Sequence, residues 1–144
     1  MIMDTKDLKF FLIDDDNFHL SVIKKMLNNA GHNRIISFDN GLDALNEIHQ
    51  NPDVILLDHN MELYNGYEVL RKIKRYNPNA CVIIVSGQES INAAVNTLKY
   101  GAFDYLQKDE HLEQNLQNAI SRFKKLKAAV KPKKNKFFQF IFSN

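Results

Sequence analysis

Three observations predict an α/β sandwich built on a parallel sheet. Short apolar runs of β type alternate five times with longer stretches of helical period, the pattern of successive strand–helix units. The apolar runs are unbroken rather than alternating, as expected of strands covered on both faces. The chain has 144 residues, room for one ordinary domain.

Taken in order, Leu8-Lys-Phe-Phe-Leu-Ile13 is the first strand candidate. Leu20, Ile23, Met26, Leu27 and Ala30 follow at three- and four-residue steps, with Gly31 placed to cap the helix C-terminus. Arg34-Ile-Ile-Ser-Phe38 is half-polar and reads as a strand near an edge. Leu42, Leu45 and Ile48 repeat the helical step, and Val54-Ile-Leu-Leu57 is the third strand. Val69, Leu70 and Ile73 mark the third helix, Cys81–Val85 the fourth strand, and Ile91, Ala94, Val95 and Leu98 the apolar face of the fourth helix, ending at Gly101. Phe103–Leu106 is the fifth strand. Leu112, Leu116, Ala119, Ile120, Phe123 and Leu126 trace a long last helix, which Pro132 is expected to close. The reading is a body at 1–130 and a basic, aromatic tail at 131–144.

With 44% apolar and 25% charged residues, the composition is that of a soluble globular protein able to bury a core without disulfides. A single cysteine, Cys81, excludes an internal disulfide and a four-thiolate zinc site; among strand residues it reads as a small buried apolar group. No apolar run approaches a membrane span. Asp4 and Asp7 interrupt what a signal peptide requires, which points to the cytoplasm. All 17 acidic residues lie at or before Glu113, with 11 of the 19 Lys and Arg, so residues 1–113 carry a net −6 and residues 114–144 a net +8. An acidic body with a basic tail bears on partners.

In open parallel sheets ligands bind beyond the carboxyl ends of the strands. There this sequence places Asp14-Asp15-Asp16 after the first strand, Asp58 after the third, Ser86-Gly87 after the fourth and Lys108 after the fifth. Strands lying side by side bring carboxylates, a hydroxyl and an ammonium to one edge. Clustered carboxylates raise one another's pKa unless a cation intervenes. A donor set of oxygens alone suits a hard ion, Mg²⁺, and a lysine beside it suits a phosphoryl group.

Four motifs at these strand ends resemble those of the receiver domains of bacterial two-component response regulators, over about residues 8–127. "FFLIDDDN" matches the first strand with its acidic pair, Asp14 and Asp15. "DVILLDHNMELYNG" matches the acceptor strand and loop, with Asp58 at the acceptor position and Gly66 at the loop glycine. "CVIIVSG" carries Ser86 at the switch-hydroxyl position, and "GAFDYLQKD" carries Tyr105 as the switch aromatic and Lys108 as the lysine. Steps of 43, 28 and 22 residues join Asp15, Asp58, Ser86 and Lys108, and these spacings are also similar to the family's.

The resemblance implies a flavodoxin-like (βα)5 three-layer sandwich with strand order 2-1-3-4-5. It implies phosphoryl transfer to Asp58 from a histidine kinase or histidine phosphotransfer protein. Asp14, Asp15, Asp58 and the Asn60 backbone carbonyl would hold Mg²⁺, Lys108 and Ser86 would engage the phosphoryl oxygens, and Tyr105 would swing inward. The output would be a switch surface read by a downstream protein effector, with no turnover of an external metabolite and hence no enzyme. A second expectation, from another class, is an interaction module that works unphosphorylated.

Two positions depart from the family pattern: Glu62 stands where proline is frequent, and Asp109 replaces the proline that commonly follows the lysine in a cis peptide. A non-proline cis bond costs about 3–4 kcal/mol, so the Lys108–Asp109 bond is expected to be trans. Asn60 and Gln88 are placed to position water near the acceptor and so to set a phosphoryl lifetime of minutes. Asp16-Asn17 reads as the N-cap of the first helix, His59 as solvent-exposed, and Met61 and Tyr64 either as partner contacts or as packing against the third helix.

In the tail, seven lysines from Lys124 to Lys136 lead into Phe137-Phe-Gln-Phe-Ile-Phe142. Such a run, if exposed, tends to self-associate. Contact with protein, including a second copy of the chain, ranks above a membrane interface. Direct DNA binding ranks last, because no recognition helix is found. The sequence thus reads as a stand-alone, or nearly stand-alone, receiver with no output domain following it.

Overall fold

The computed structural model describes residues 7–61, 65–87 and 90–142, with 131–142 as backbone only. Strand β1 spans Lys9–Ile13, β2 Arg34–Phe38, β3 Val54–Asp58, β4 Cys81–Ser86 and β5 Asp104–Gln107. Helix α1 spans Asn17–Asn29, α2 Gly41–Asn46, α3 Gly66–Tyr76, α4 Ile91–Lys99 and α5 Leu112–Phe142, and a single 3-10 turn covers Ile48–Gln50. All strand pairs are parallel, in the order β2-β1-β3-β4-β5. The expected architecture and order are therefore observed, with the half-polar β2 at an edge.

Successive strand residues face opposite layers. Phe10 and Leu12 pack with Leu20, Ile23 and Leu27 of α1 and with Leu112, Leu116 and Ile120 of α5. Phe11 and Ile13 pack on the other face with Ala44 of α2 and with Val69, Leu70 and Ile73 of α3. Each of these large side chains is almost fully buried and contributes about 1.5–3 kcal/mol. Cys81 lies in the first of these layers, and burial pushes its thiol up to about 12.

Capping side chains start the helices that follow β1, β2, β3 and β4. Asp16 Oδ1 accepts from the N–H groups of Phe18 and His19 at 3.0 and 3.2 Å, as its expected N-cap role requires. Asn40, Asn65 and Ser90 do the same for α2, α3 and α4. Gly31 and Gly101 follow α1 and α4 with φ of +90° and +103°, the left-handed conformation glycine favours past a helix end.

Helix α4 corrects one expectation. Its apolar stripe faces outward: Ile91 is 83% exposed, Val95 and Leu98 are also exposed, and Thr97 is the buried residue of the helix. Thr97 fits because its hydroxyl donates to the Ala94 carbonyl at 3.0 Å. Leu42 and Leu126, likewise expected on buried faces, are exposed. Helix α4 is gripped near its C-terminal end. Tyr67 and Tyr100 meet edge to face at 4.8 Å, the Arg71 guanidinium lies over both rings, and the Lys74 stem runs against Gly101, where a Cβ would come within 2.7 Å of it.

Helix α5 corrects a second expectation, because Pro132 does not end it and the backbone stays helical to Phe142. An interior proline removes one N–H, here the donor to the Ala128 carbonyl, at about 3 kcal/mol. Flanking Ala and Lys residues favour helix, and the helix continues past the lost bond. Arg122 pairs with Asp104 of β5, and Lys127 Nζ reaches Asp53 Oδ1 at 3.0 Å. The side chains of the tail, and with them its proposed contacts, lie outside the described residues.

Candidate functional site

Register assembles the site. Ile13 pairs with Leu57, Asp58 with Val85, and Ser86 with Gln107, so Asp14, Asp58, Ser86 and Lys108 come to one carboxyl edge of the sheet. Backbone bonds fix the ends: the Asp14 N–H donates to the Phe38 carbonyl at 3.1 Å, and the Lys108 N–H to the Ser86 carbonyl at 2.8 Å. Asp14, Asp58 and Ser86 are buried and Asp15 is exposed. The peptide between Lys108 and Asp109 is trans, as expected.

One carboxylate oxygen each from Asp14, Asp15 and Asp58 lies within 4.8 Å of the others. Lys108 Nζ stands 3.2 Å from Asp14 Oδ2 and 3.1 Å from Asp58 Oδ1. Burial and the Asp14 charge push Asp58 up to about 6, against the pull of Lys108 and the Asn60 backbone. Burial draws the Lys108 ammonium down, but the Asp58 and Asp14 carboxylates outweigh it and hold its pKa above the ordinary value.

Among the described residues, three buried side-chain atoms have no hydrogen-bond partner: Asp58 Oδ1, His19 Nδ1 and His59 Nδ1. All three belong to residues at or beside this edge. A buried carboxylate oxygen whose one close neighbour is the Lys108 ammonium, among three clustered carboxylates, suits a hard divalent cation, so the residues present fit Mg²⁺. Asn60 is exposed on the loop after β3 and, with His59, Met61 and Asn65, lines an open depression there.

Gly66 is the loop glycine because nothing larger fits: a Cβ would stand 2.7 Å from both the Asp58 carbonyl oxygen and His59 Cα. The start of α3 is thereby pressed onto the acceptor backbone, and the Gly66 N–H donates to the His59 carbonyl at 2.9 Å.

Tyr105 is half-buried against the layer formed with α3. His59 is half-buried too, which corrects its expected exposure. Its ring meets Tyr105 at 6.3 Å, and burial lowers its pKa. Met61 packs partly on the same layer. Glu62, Tyr64 and Gln88 lie outside the described residues. Sequence reading missed His19, whose Nδ1 lies 3.4 Å from Asp14 Oδ2 and whose pKa burial lowers. Its signal was available: three residues past the Asp16 cap, it occupies the first helical turn beside a strand end.

The sequence matches the family described as the response regulator receiver domain over residues 10–121. It is 32% identical over 123 residues to the transcriptional regulatory protein ZraR of Klebsiella oxytoca, covering 83% of this chain and 28% of that protein. With the DNA-binding transcriptional regulator NtrC of Escherichia coli K12 it shares 32% identity over 117 residues, 78% of this chain and 25% of that one. The chain thus spans about a quarter of the length of these curated relatives. The crystal structure of a receiver domain protein from Clostridium thermocellum is similar with a TM-score of 0.78 and 30% identity, over 85% of this chain and 98% of that one. No helix among the described residues is long and apolar enough to cross a membrane.

Proposed function

The chain belongs to the response regulator receiver domain family, the phosphorylatable domains of two-component signalling, and on that premise we propose that Asp58 is its phosphoacceptor. A histidine kinase or histidine phosphotransfer protein supplies the phosphoryl group. An Asp58 carboxylate oxygen attacks phosphorus, the P–N bond to the donor imidazole breaks as the P–O bond forms, and the imidazole leaves.

Asp14, Asp15, Asp58 and the Asn60 carbonyl would hold Mg²⁺. When bound, the ion offsets negative charge on the phosphoryl oxygens. Lys108, already between Asp14 and Asp58, pairs with one phosphoryl oxygen, and the Ser86 hydroxyl donates to another. Engagement of Ser86 draws on the loop after β4, and Tyr105 turns inward. The changed face of α4, β5 and α5 is read by a protein effector. The domain turns over no external metabolite, acts in the cytoplasm and is not an enzyme.

The observation that carries this reading is the buried Asp58 carboxylate, held beside the Lys108 ammonium inside a cluster of three carboxylates. Intact mass after incubation with Mg²⁺ and acetyl phosphate tests it. The expected gain is one phosphoryl group, absent in Asp58→Asn and absent without Mg²⁺. No gain, even with a histidine kinase present, would replace it with a module that binds its partners unmodified.

A further inference from the structure

One imidazole beside the acceptor has no part in the phosphoryl chemistry above. The His59 backbone is fixed from two sides: its N–H donates to the Val85 carbonyl at 3.1 Å and its carbonyl accepts from Gly66 at 2.9 Å. The missing side chain at Gly66 lets α3 close onto His59 Cα. A ring carried on so constrained a backbone has a narrow choice of positions. The position it takes is against Tyr105, with ring centroids 6.3 Å apart and planes at 65°. That separation is near the wide end of the ~4.5–7 Å range of attractive ring pairs, a loose contact.

The imidazole is also incompletely bonded. His59 Nδ1 is buried and has no hydrogen-bond partner. A neutral imidazole has one donor and one acceptor nitrogen. A buried ring nitrogen without a partner is unfavourable, so a rearrangement that supplies one is favoured. Tyr105, the ring that His59 meets, carries an O–H that can donate.

We propose that His59 is a positioning residue for Tyr105, its Nδ1 accepting a hydrogen bond from the Tyr105 hydroxyl when that ring turns inward on phosphorylation. The inference rests on the receiver reading, in which Tyr105 moves. It adds the group that defines where the motion stops. His59 then acts on the output, through Tyr105.

The test follows the imidazole nitrogen resonances of the full chain by ¹⁵N NMR, with Mg²⁺ present, before and after addition of acetyl phosphate. Intact mass is read on the same samples, and the His59→Asn variant assigns the His59 signals. The expected result is an upfield move of His59 Nδ1 on phosphorylation, lost in Tyr105→Phe, which keeps the ring and its packing. A mass gain with an unmoved Nδ1 in the wild-type chain overturns this inference and leaves the receiver reading standing. The same move in Tyr105→Phe assigns the bond to another donor and also overturns it. Failure to gain mass overturns the receiver reading and this inference with it.

Discussion

The Lys108 ammonium lies 3.1 Å from Asp58 Oδ1, occupying with its charge part of the space that a divalent cation and a phosphoryl group would share. It neutralises the pocket in the resting protein and competes with any cation that enters.

Replacing Lys108 with methionine is therefore expected to tighten Mg²⁺ binding while slowing phosphoryl uptake. Removing one positive charge a few ångströms from the ion is worth about 1 kcal/mol, roughly fivefold in affinity, at solvent-like dielectric. Calorimetric titration at pH 8, above the value of about 6 to which Asp58 is pushed in the wild-type chain, measures it. Unchanged or weaker binding in Lys108→Met would contradict the competition.

Asp58 makes stability depend on pH. Its carboxyl titrates near 3.8 ordinarily and is pushed to about 6 in the fold by burial and Asp14. Below pH 3.8 the group is protonated whether folded or not, and its contribution is fully present; that contribution is lost as pH rises through 6. Asp58→Asn should hence match the wild-type chain near pH 4 and exceed its stability at pH 7.5, by on the order of 2 kcal/mol. Urea unfolding in the presence of chelator checks this. A constant difference between the two across that range would refute the assignment.

Gly66 and Gly87 make a matched pair. A methyl at Gly66 meets two backbone atoms at 2.7 Å, whereas at Gly87 the closest atom is the Lys108 Cδ at 4.0 Å. Gly66→Ala is expected to cost about 1–3 kcal/mol, as overpacking does, and to slow phosphoryl uptake because the atoms displaced belong to Asp58 and His59. Gly87→Ala is expected to unfold with the wild-type midpoint. Equal stability of the two variants would show that the α3 start yields freely.

On α4, Ile91→Lys is expected to change stability by no more than about 0.5 kcal/mol, as exposed substitutions do. Thr97→Lys places a charge at a fully buried position and is expected to cost several times that. Thermal unfolding of the two variants distinguishes the faces, and a reversed order would restore the face read from periodicity.

Helix α4 also shows where sequence reading stops. Periodicity establishes that Ile91, Val95 and Leu98 share a side of a helix, but not whether that side meets the sheet. Here Thr97, with its hydroxyl bonded to its own helix, takes the buried position. The strand ends were legible for the opposite reason: Asp14, Asp58, Ser86 and Lys108 each follow an apolar run, and parallel register lines up the residues that follow such runs. The ring of His59 could not be placed in advance, since its burial depends on β5 and α3, elements far along the chain. Pro132 does not end α5, because one lost hydrogen bond is outweighed by the helix-favouring residues around it.

The grip of Tyr67, Arg71 and Lys74 on the end of α4 turns that helix into a lever with its fulcrum at Tyr100. With nine residues at 1.5 Å each, α4 is about 13 Å long, so a tilt of about 20° sweeps its free end through roughly 4.5 Å. The fulcrum end would stay in place. A partner that touches both ends then has one fixed foothold, at the tyrosine pair, and one travelling foothold, at Ile91. The distance between them, rather than the chemistry of either, is what such a tilt would change.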